Sequence, residues 1–284
     1  MHEIAPSCRA IASRPWREEP SSRAALSSSP AARRGAAPSL SGSHRPRAFS
    51  VALLAAATLA CRSSIPAAPP PAWLPSVPDG YGRPWDARAV LSVQEGHLKL
   101  PSGQTCLPDE PECSRALQML RGERLALELD GSRIVAELSA PLAALSLALP
   151  AERTACLAVA DTKGRRCVPF RPFSSDDFGA WLDADQPPAK IRVILRADGM
   201  EVAIDRGKIP GPDRHGPSLP SLGARPDYQG LDADAAKLKA RFPSETEAGL
   251  AASPSIPVAQ AARILAILSG PGGERFERTF LVYP

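Results

Sequence analysis

The chain of 284 residues has few aromatic side chains, few histidines and only a short apolar run. Aromatic residues make up 5% of the sequence, and His97 and His215 are the only histidines after residue 60. The apolar run at 49–60 has twelve residues. A helix of that length spans about 18 Å of a hydrocarbon core that is about 30 Å thick, which excludes a transmembrane helix there. Any histidine-based active site in the rest of the chain must use one of those two histidines.

Positive charge is concentrated at the beginning of the chain. Residues 1–60 contain eight arginines, no lysine and three glutamates, whereas the remaining residues carry 26 basic and 27 acidic side chains. The body therefore lacks the basic excess with which proteins neutralise nucleic-acid phosphates, and we expect no nucleic acid as a partner. An apolar fraction of 44% and a charged fraction of 23% are typical of globular proteins, so the composition excludes a wholly disordered chain.

The segment before Cys61 has the three parts of a secretory signal peptide. A positive start at 44–47 is followed by the apolar run at 49–60, which ends in small residues. Residues 1–44 are rich in Ser, Ala, Arg and Pro, as in an organellar transit peptide, but the apolar run that follows favours export. We therefore interpret 1–60 as leader and signal peptide, with 1–44 resulting from a start codon assigned too far upstream.

Thr58-Leu59-Ala60-Cys61 resembles the lipobox of bacterial lipoproteins, in which small residues precede the cysteine that is acylated. Ordinary cleavage after Ala60 is the alternative. Cleavage removes Cys8 and leaves five cysteines, and an odd thiol in an exported protein needs a separate fate. Acylation of Cys61 provides that fate. The resemblance implies a lipid anchor in the bacterial cell envelope, on its periplasmic face, and Arg62 directly after the cysteine favours the outer membrane.

The four remaining cysteines predict two disulfides. Cys106 and Cys113 enclose a short Pro-containing loop, and Cys156 and Cys167 lie on either side of a turn. Among the three possible connectivities we expect nearest-neighbour pairing, with about 2–3 kcal/mol of stabilisation from each bridge. A metal site is the rival interpretation, but neither spacing resembles C-x₂-C, so we expect no metal.

The exported body divides into a tether and two folded segments. Residues 61–85 are rich in proline and predict an extended tether. Residues 86–173 contain alternating apolar residues and predict a β-rich, disulfide-stabilised domain, a meander of five or six short strands. One predicted hairpin turns at Asp130-Gly131, because this dipeptide between alternating residues is a strong turn signal. The alternation from Leu145 to Leu149 predicts a further strand.

Residues 174–284 predict a small α+β domain with the element order ββαβαβ. A short helix at 175–182 precedes a hairpin that turns at Asp198-Gly199. Helical spacing of apolar residues and alternating runs predict the remaining elements: helices at 231–242 and 258–268, and strands at 247–252 and 278–283. The predicted fold class is therefore α+β, with an N-terminal β-rich meander domain followed by a ββαβαβ domain that packs two helices on one face of a sheet.

The element order of the second segment resembles the periplasmic domain of the ExbD/TolR family of energy-coupling proteins. The corresponding residues are the hairpin Ile191 to Ile204, the strand and Pro-led helix from Gly249 to Leu265, and the final strand Thr279 to Tyr283. Family members carry an Asp and a Tyr where this chain has Ser253 and Val258. They are also anchored by a transmembrane helix with a proton-relay Asp, so that role is not carried over. The resemblance implies a periplasmic envelope module that contacts peptidoglycan and partner proteins.

No motif in the body predicts catalysis. A G-x-S-x-G motif is absent from the sequence, and Gly270-Pro-Gly-Gly273 follows a helix rather than a strand, so we expect neither an enzyme nor a bound cofactor. The candidate binding residues are Lys163, Arg165 and Arg166 at a hairpin tip, suited to an anionic cell-wall polymer, and His215 in a Gly- and Pro-rich loop.

Together these patterns predict a non-enzymatic, lipid-anchored envelope protein that acts by binding or scaffolding, in association with a Tol/Exb-like transport system. Its expected partners are the membrane, peptidoglycan and envelope transport proteins. Two alternatives stay open. One is a small-ligand or glycan-binding lipoprotein whose pocket lies near residues 207–226. The other is a periplasmic hydrolase that uses His97 or His215.

Overall fold

A computed structural model describes residues 69–150, 153–205 and 207–283 of the chain, and they form an α+β fold around one large mixed sheet. Its strands are β1 (Arg83–Pro84), β2 (Ala89–Gln94), β3 (His97–Lys99), β4 (Thr105–Cys106), β5 (Leu125–Glu128), β6 (Ala155–Asp161), β7 (Gly164–Ser174), β8 (Arg192–Arg196), β9 (Gly199–Ile204), β10 (Gly207–Lys208), β11 (Leu219–Pro220), β12 (Glu247–Ala252) and β13 (Arg278–Tyr283). Its α-helices are α1 (Pro111–Met119), α2 (Ser139–Ala148), α3 (Ser175–Asp183), α4 (Tyr228–Arg241) and α5 (Val258–Ser269), and a 3₁₀ helix (Val135–Leu138) leads into α2.

One continuous sheet runs through both predicted folded segments. Its strands follow the order β10-β9-β8-β12-β13-β7-β6-β5-β2-β3-β4, with β1 beside β7 and β11 beside β9. The long strand β7 joins the two parts, because its residues 164–170 pair antiparallel with β6 and its residues 170–174 pair parallel with β13. The expected change of domain near residue 173 therefore falls at the end of a strand that holds the sheet together.

The hairpin predicted at Asp130-Gly131 is wrong, and with it the meander. Strand β5 ends at Glu128 and pairs in parallel with both β2 and β6, which requires a crossover connection and not a tight turn. The Asp130 carboxylate accepts hydrogen bonds from the backbone N–H and the hydroxyl of Ser132, at 2.9 and 2.7 Å. This local turn directs the chain into the 3₁₀ helix and α2.

The strand predicted at Leu145 to Leu149 is also wrong, because this stretch lies in α2 and its C-cap. The apolar residues from Val135 to Leu145 follow helical spacing, and this pattern covers more of the chain than the two-residue alternation at 145–149. Four of them are fully buried at intervals of three and four: Val135, Leu138, Leu142 and Leu145. Burial of this helical stripe outweighs the strand-like pattern.

The elements predicted from local signals in 174–284 are confirmed. Ser174 and Asp177 form a capping box at the start of α3. The β8–β9 hairpin turns at Asp198-Gly199, where Gly199 has a φ of +151° that favours glycine. Helix α5 begins directly after Pro257 and ends before Gly270. The two helices α4 and α5 pack against each other.

Two stretches of chain have the same topology, and we call them the first unit (89–161) and the second unit (192–283). When the two-residue strands β4, β10 and β11 and the 3₁₀ helix are left out, the first unit runs β2-β3-α1-β5-α2-β6, and the second runs β8-β9-α4-β12-α5-β13. Their strand orders are β3-β2-β5-β6 and β9-β8-β12-β13, with an antiparallel hairpin at the outer side and parallel pairs after it in both. The ββαβαβ order predicted for the second segment is therefore present twice.

Backbone hydrogen bonds join the two units reciprocally. The Val135 N–H donates to the Ile256 carbonyl at 2.9 Å, and the Val258 N–H donates to the Arg133 carbonyl at 2.7 Å. A shift of 123 residues takes 135 to 258 and 133 to 256, so each bond is the counterpart of the other. The same shift relates the bonds Ala136–Pro254 and Ala259–Gly131. Such an exchange of equivalent contacts is the pattern of a two-fold, isologous interface within one chain.

The main core is a single cluster of buried apolar residues drawn from both units. A smaller cluster, Ala126 with the cysteines at 156 and 167, covers the opposite side of the first unit's strands, where Trp85 packs on it. Neighbouring residues of β5 alternate between these two clusters, so β5 is covered on both faces.

Candidate functional site

A groove of about 590 Å³ opens where the parallel strands β2 and β5 end side by side. Crevices outside the carboxyl ends of parallel strands are common ligand sites, because loops diverge there. The groove is lined by the end of β2 and the turn after it, by residues of β3 and β4, by the segment after β5, and by one residue of the tether: Trp73, Ser92, Val93, Gln94, Glu95, His97, Thr105, Asp130 and Arg133. It therefore combines one aromatic surface with several polar groups.

Trp73 provides the aromatic surface of this groove. Its carbonyl accepts a hydrogen bond from the Gly131 N–H at 2.9 Å, which ties the tether to the turn after β5. Its side chain is 40% exposed, and it is the only aromatic residue among the exposed large apolar side chains of the described ranges. An indole that stays open to solvent beside polar groups is suited to packing against the apolar face of a ligand.

The polar side of the groove holds a carboxylate and a guanidinium in defined positions. The backbone N–H of Ser132, and then its hydroxyl, hydrogen-bond to Asp130 and lower the pKa of that carboxyl. Arg133 forms an ion pair with Glu137 at 2.9 Å, and only 25% of its side chain is exposed. Both groups are thus charged and oriented before any ligand arrives, which reduces the cost of ordering them on binding.

His97 lies at the start of β3 on the same groove. Its Nδ1 is 3.1 Å from the Glu95 carbonyl oxygen. A carbonyl oxygen only accepts, so Nδ1 is the donor in this contact. No serine or cysteine hydrogen-bonds to this ring within the described residues. The exposed ring offers its second nitrogen to a ligand, and no nucleophile–histidine pair includes it among the described residues.

Sequence reasoning missed most of this groove. It considered His97 only as a catalytic candidate, and it assigned Asp130 to a hairpin tip. Trp73 lies in the segment predicted as a tether, and Arg133 was not singled out. No signal in the sequence links Trp73 with Asp130, because the contact depends on the tether crossing the end of β5.

The three cations at the predicted hairpin tip do not form one patch. Arg165 lies 5.6 Å over the Trp85 ring and pairs with Glu128 at 3.1 Å. Arg166 donates to backbone carbonyls of the tether and lies 3.6 Å from the Asp161 carboxylate. Lys163 is exposed, and its backbone N–H donates to Asp161. The two arginines therefore stabilise packing between β7 and its neighbours.

His215, the fourth candidate, lies in the loop between β10 and β11. Its backbone N–H donates to the Asp213 carboxylate at 3.1 Å. The cavity beside it holds only about 40 Å³ and is lined mainly by polar and charged residues. A ligand pocket of ordinary size, typically a few hundred Å³, is not formed at His215.

The structure contains both nearest-neighbour disulfides. Cys106 pairs with Cys113 across a Cα separation of 5.4 Å, and Cys156 pairs with Cys167 across 5.1 Å. The first links β4 to α1, and the second joins the central strands β6 and β7. Disulfides form and persist in oxidising compartments, so both are compatible with an extracytoplasmic location.

Several sequence predictions concern residues outside the described ranges, namely the leader and signal peptide (1–60), the lipidation site Cys61 and the first part of the tether. Among the described residues, no helix combines the length and the apolar composition that a membrane span requires. The same residues contain no group of three or more histidine, cysteine or acidic side chains arranged to hold a metal ion.

Comparison with known proteins adds no family to this description. The chain matches no protein-family model, no curated protein and no solved structure at a significant level. The order of its elements and the chemistry of its groove are therefore the basis on which its function is argued.

Proposed function

We propose that this protein is a non-enzymatic, lipid-anchored binding protein of the bacterial cell envelope, attached at the periplasmic face through Cys61. Cysteine parity supports the anchor. The two disulfides use four of the five cysteines that follow the predicted signal peptide, and the fifth is Cys61, directly after an apolar run. Acylation gives this thiol a role, and Arg62 favours the outer membrane as its destination.

The Trp73 groove is the proposed binding site, and its ligand class is a glycan of the cell wall. The exposed indole beside polar side chains is the observation that carries this proposal. A sugar ring has an apolar C–H face that packs on an aromatic surface, and hydroxyls that bond to carboxylates, guanidinium and imidazole groups. The groove offers all of these on one concave surface.

Association with a Tol/Exb-like transport system is the finer part of the proposal. It rests on the ββαβαβ order, which occurs in both units. Here the protein would act as a scaffold between the envelope and its partner proteins. The groove favours direct ligand binding as the primary activity, because it places an exposed indole beside polar groups on one concave surface.

The anchor is tested by labelling with a radioactive fatty acid in a bacterial host. The wild type and Cys8→Ala should incorporate the label, whereas Cys61→Ala should not, since only Cys61 follows the lipobox. Label in Cys61→Ala, or a mature protein that keeps residues 1–60, would refute the anchor.

The groove is tested by co-sedimentation with purified peptidoglycan. Trp73→Ala should reduce the bound fraction at least fivefold, because the stacking surface is lost, and Trp73→Phe should retain part of it. Met119→Ala is the matched control, since Met119 is 85% exposed and lies outside the groove. Equal binding of Trp73→Ala and the wild type would exclude this groove as the glycan site. If the wild type hydrolysed the glycan and the His97→Ala, His215→Ala double variant did not, the result would instead support the hydrolase alternative.

A further inference from the structure

A second groove, of about 560 Å³, lies on the second unit between the start of α4 and the side of α5. It shares no lining residue with the Trp73 groove. Its chemistry comes from two arginines, a tyrosine, two glutamines and one exposed leucine: Arg225, Arg263, Tyr228, Gln229, Gln260 and Leu222. The strong bias toward hydrogen-bond donors distinguishes it from the first groove.

Arg263 is held in place without using its donors. Its guanidinium carbon lies 4.4 Å from the centre of the Tyr228 ring, so the aromatic face orients the guanidinium. Its Nε atom is buried and has no hydrogen-bond partner among the described residues. A buried donor without a partner costs free energy, and such a group in a native fold calls for an explanation. The Nε atom is closed to solvent, so a ligand in the groove would contact Arg263 at its terminal nitrogens, for which the described residues supply no hydrogen-bond acceptor either.

The positive charge of this groove is not neutralised by the protein. Neither Arg225 nor Arg263 forms an ion pair with any residue that the structure describes. Asp227 is the only acid lining the groove, and its carboxylate is the N-cap of α4, accepting the Gly230 N–H at 2.9 Å. Burial raises the pKa of Tyr228, and the charges of Arg263 and then Arg225 oppose that rise. Both arginines therefore act on the same hydroxyl from within the groove.

The fold itself does not require an arginine at this place. The 123-residue shift that relates the two units takes Ala140 to Arg263 and Glu137 to Gln260. The first unit forms its helix with a small residue and an acid at these positions. The second unit therefore carries donor side chains at two positions where the first unit folds without them.

We propose that this groove binds a carboxylate of an acidic peptide segment. Guanidinium groups bind carboxylates through paired, charge-assisted hydrogen bonds, and the two terminal nitrogens of Arg263 offer such a pair. The two glutamine amides can bond to peptide groups, and Leu222, which is 68% exposed, provides apolar contact for a neighbouring side chain. These features fit an extended peptide better than a compact inorganic ion.

The experiment uses the full mature chain and three probes: N-acetyl-Ala-Glu-Ala amide, its Gln counterpart and inorganic phosphate. Binding is followed by ¹H–¹⁵N NMR of the arginine Nε–Hε signals. The acidic peptide should shift the Arg263 signal in a saturable manner, and the Gln peptide should bind at least tenfold more weakly. Phosphate that binds as tightly as the acidic peptide, or an Arg263 signal that does not move at 10 mM peptide, would overturn the proposal.

Variants locate the site. Arg263→Gln and Arg225→Gln should each weaken binding of the acidic peptide at least fivefold, and Arg263→Lys, which keeps the charge but loses the paired donors, should weaken it by a similar factor. Arg214→Gln is the matched control, because Arg214 is exposed and lies outside the groove; it should change binding less than twofold. If Arg214→Gln weakened peptide binding as much as Arg263→Gln does, net charge alone would explain the loss, and the site would be refuted. Trp73→Ala should leave peptide binding intact, which separates this site from the glycan groove.

Discussion

Asp161 is a charged residue whose side chain is completely buried at the end of β6. Its carboxylate accepts the Gly80 N–H at 3.2 Å and the Lys163 N–H at 2.8 Å, and it faces Arg166 at 3.6 Å. Buried charges persist only when they are paired and hydrogen-bonded. This carboxylate therefore binds the segment around Gly80 to the end of strand β6.

Asp161→Asn should lower the free energy of unfolding by about 2–3 kcal/mol, because it leaves the partly buried Arg166 without its counter-charge. Urea denaturation measures the change. Asp185→Asn, at an exposed acid in a connector, should cost less than about 0.5 kcal/mol. A loss in Asp161→Asn no larger than in Asp185→Asn would contradict this role of the buried carboxylate.

Ser132→Ala should raise the pKa of Asp130, because it removes the hydroxyl donor to the ionised carboxylate and leaves the backbone N–H donor in place. NMR titration of the Asp130 carboxyl carbon measures it. The pKa of Asp130 is lowered in the folded state, so its contribution to stability is present above the pKa of the unfolded chain, near 4, and is lost as pH falls. The difference in the free energy of unfolding between the wild type and Ser132→Ala should therefore shrink below about pH 4. A difference that stays constant with pH would contradict the role of the Ser132 hydroxyl in stabilising the Asp130 carboxylate.

At the scale of elements, helix α3 is held at both ends by specific contacts. Ser174 and Asp177 satisfy the first backbone donors through a capping box. At the other end the buried Lys190 ammonium donates to the carbonyls of Leu182 and Ala184. Its positive charge also lies favourably near the carboxyl end of the helix. These contacts orient Trp181, whose indole N–H donates to Glu247 at 3.0 Å.

Ser174→Ala should destabilise the protein by about 1 kcal/mol, because the Asp177 N–H loses its acceptor. Thermal or urea unfolding gives the value. The comparison variant is Ser255→Ala, whose serine lies exposed in the turn before α5 and is expected to change stability by less than about 0.5 kcal/mol. Equal effects of the two substitutions would argue that the capping box contributes nothing.

At the scale of the whole molecule, the continuous sheet predicts one cooperative unfolding transition. Strand β7 pairs with the last strand of each unit, and the main core includes residues of both. Trp85 packs beside the first unit, and Trp181 packs on Phe280 of the second. When urea unfolding of the Trp85→Phe and Trp181→Phe variants is followed by tryptophan fluorescence, the two transitions should have the same midpoint. Two separated transitions would show that 86–173 and 174–284 unfold as independent domains.

Local signals account for the part of the fold that was predicted correctly. Ser174, Asp198-Gly199 and Pro257 each act within a few residues of their own position, through capping, a turn and a helix start. The pairing of β5 with β2 and β6 was not predictable in this way, since both its neighbours are distant in sequence. Among the site residues, His97 was noticed for its rarity alone, and the stack of Arg263 on Tyr228 was not anticipated.

The sequence by itself determined the elements of the second unit, the two disulfide pairs and the α+β class, because these depend on short-range periodicity, turn chemistry and cysteine spacing. Only the tertiary structure decided that the same topology occurs twice, that one sheet joins both units, and that Trp73 meets Asp130 and Arg133 in a groove. These features arise from contacts between residues far apart in the chain. Such contacts form because they bury apolar surface and pair strands across the whole molecule. A pattern within a short stretch of sequence therefore does not predict them.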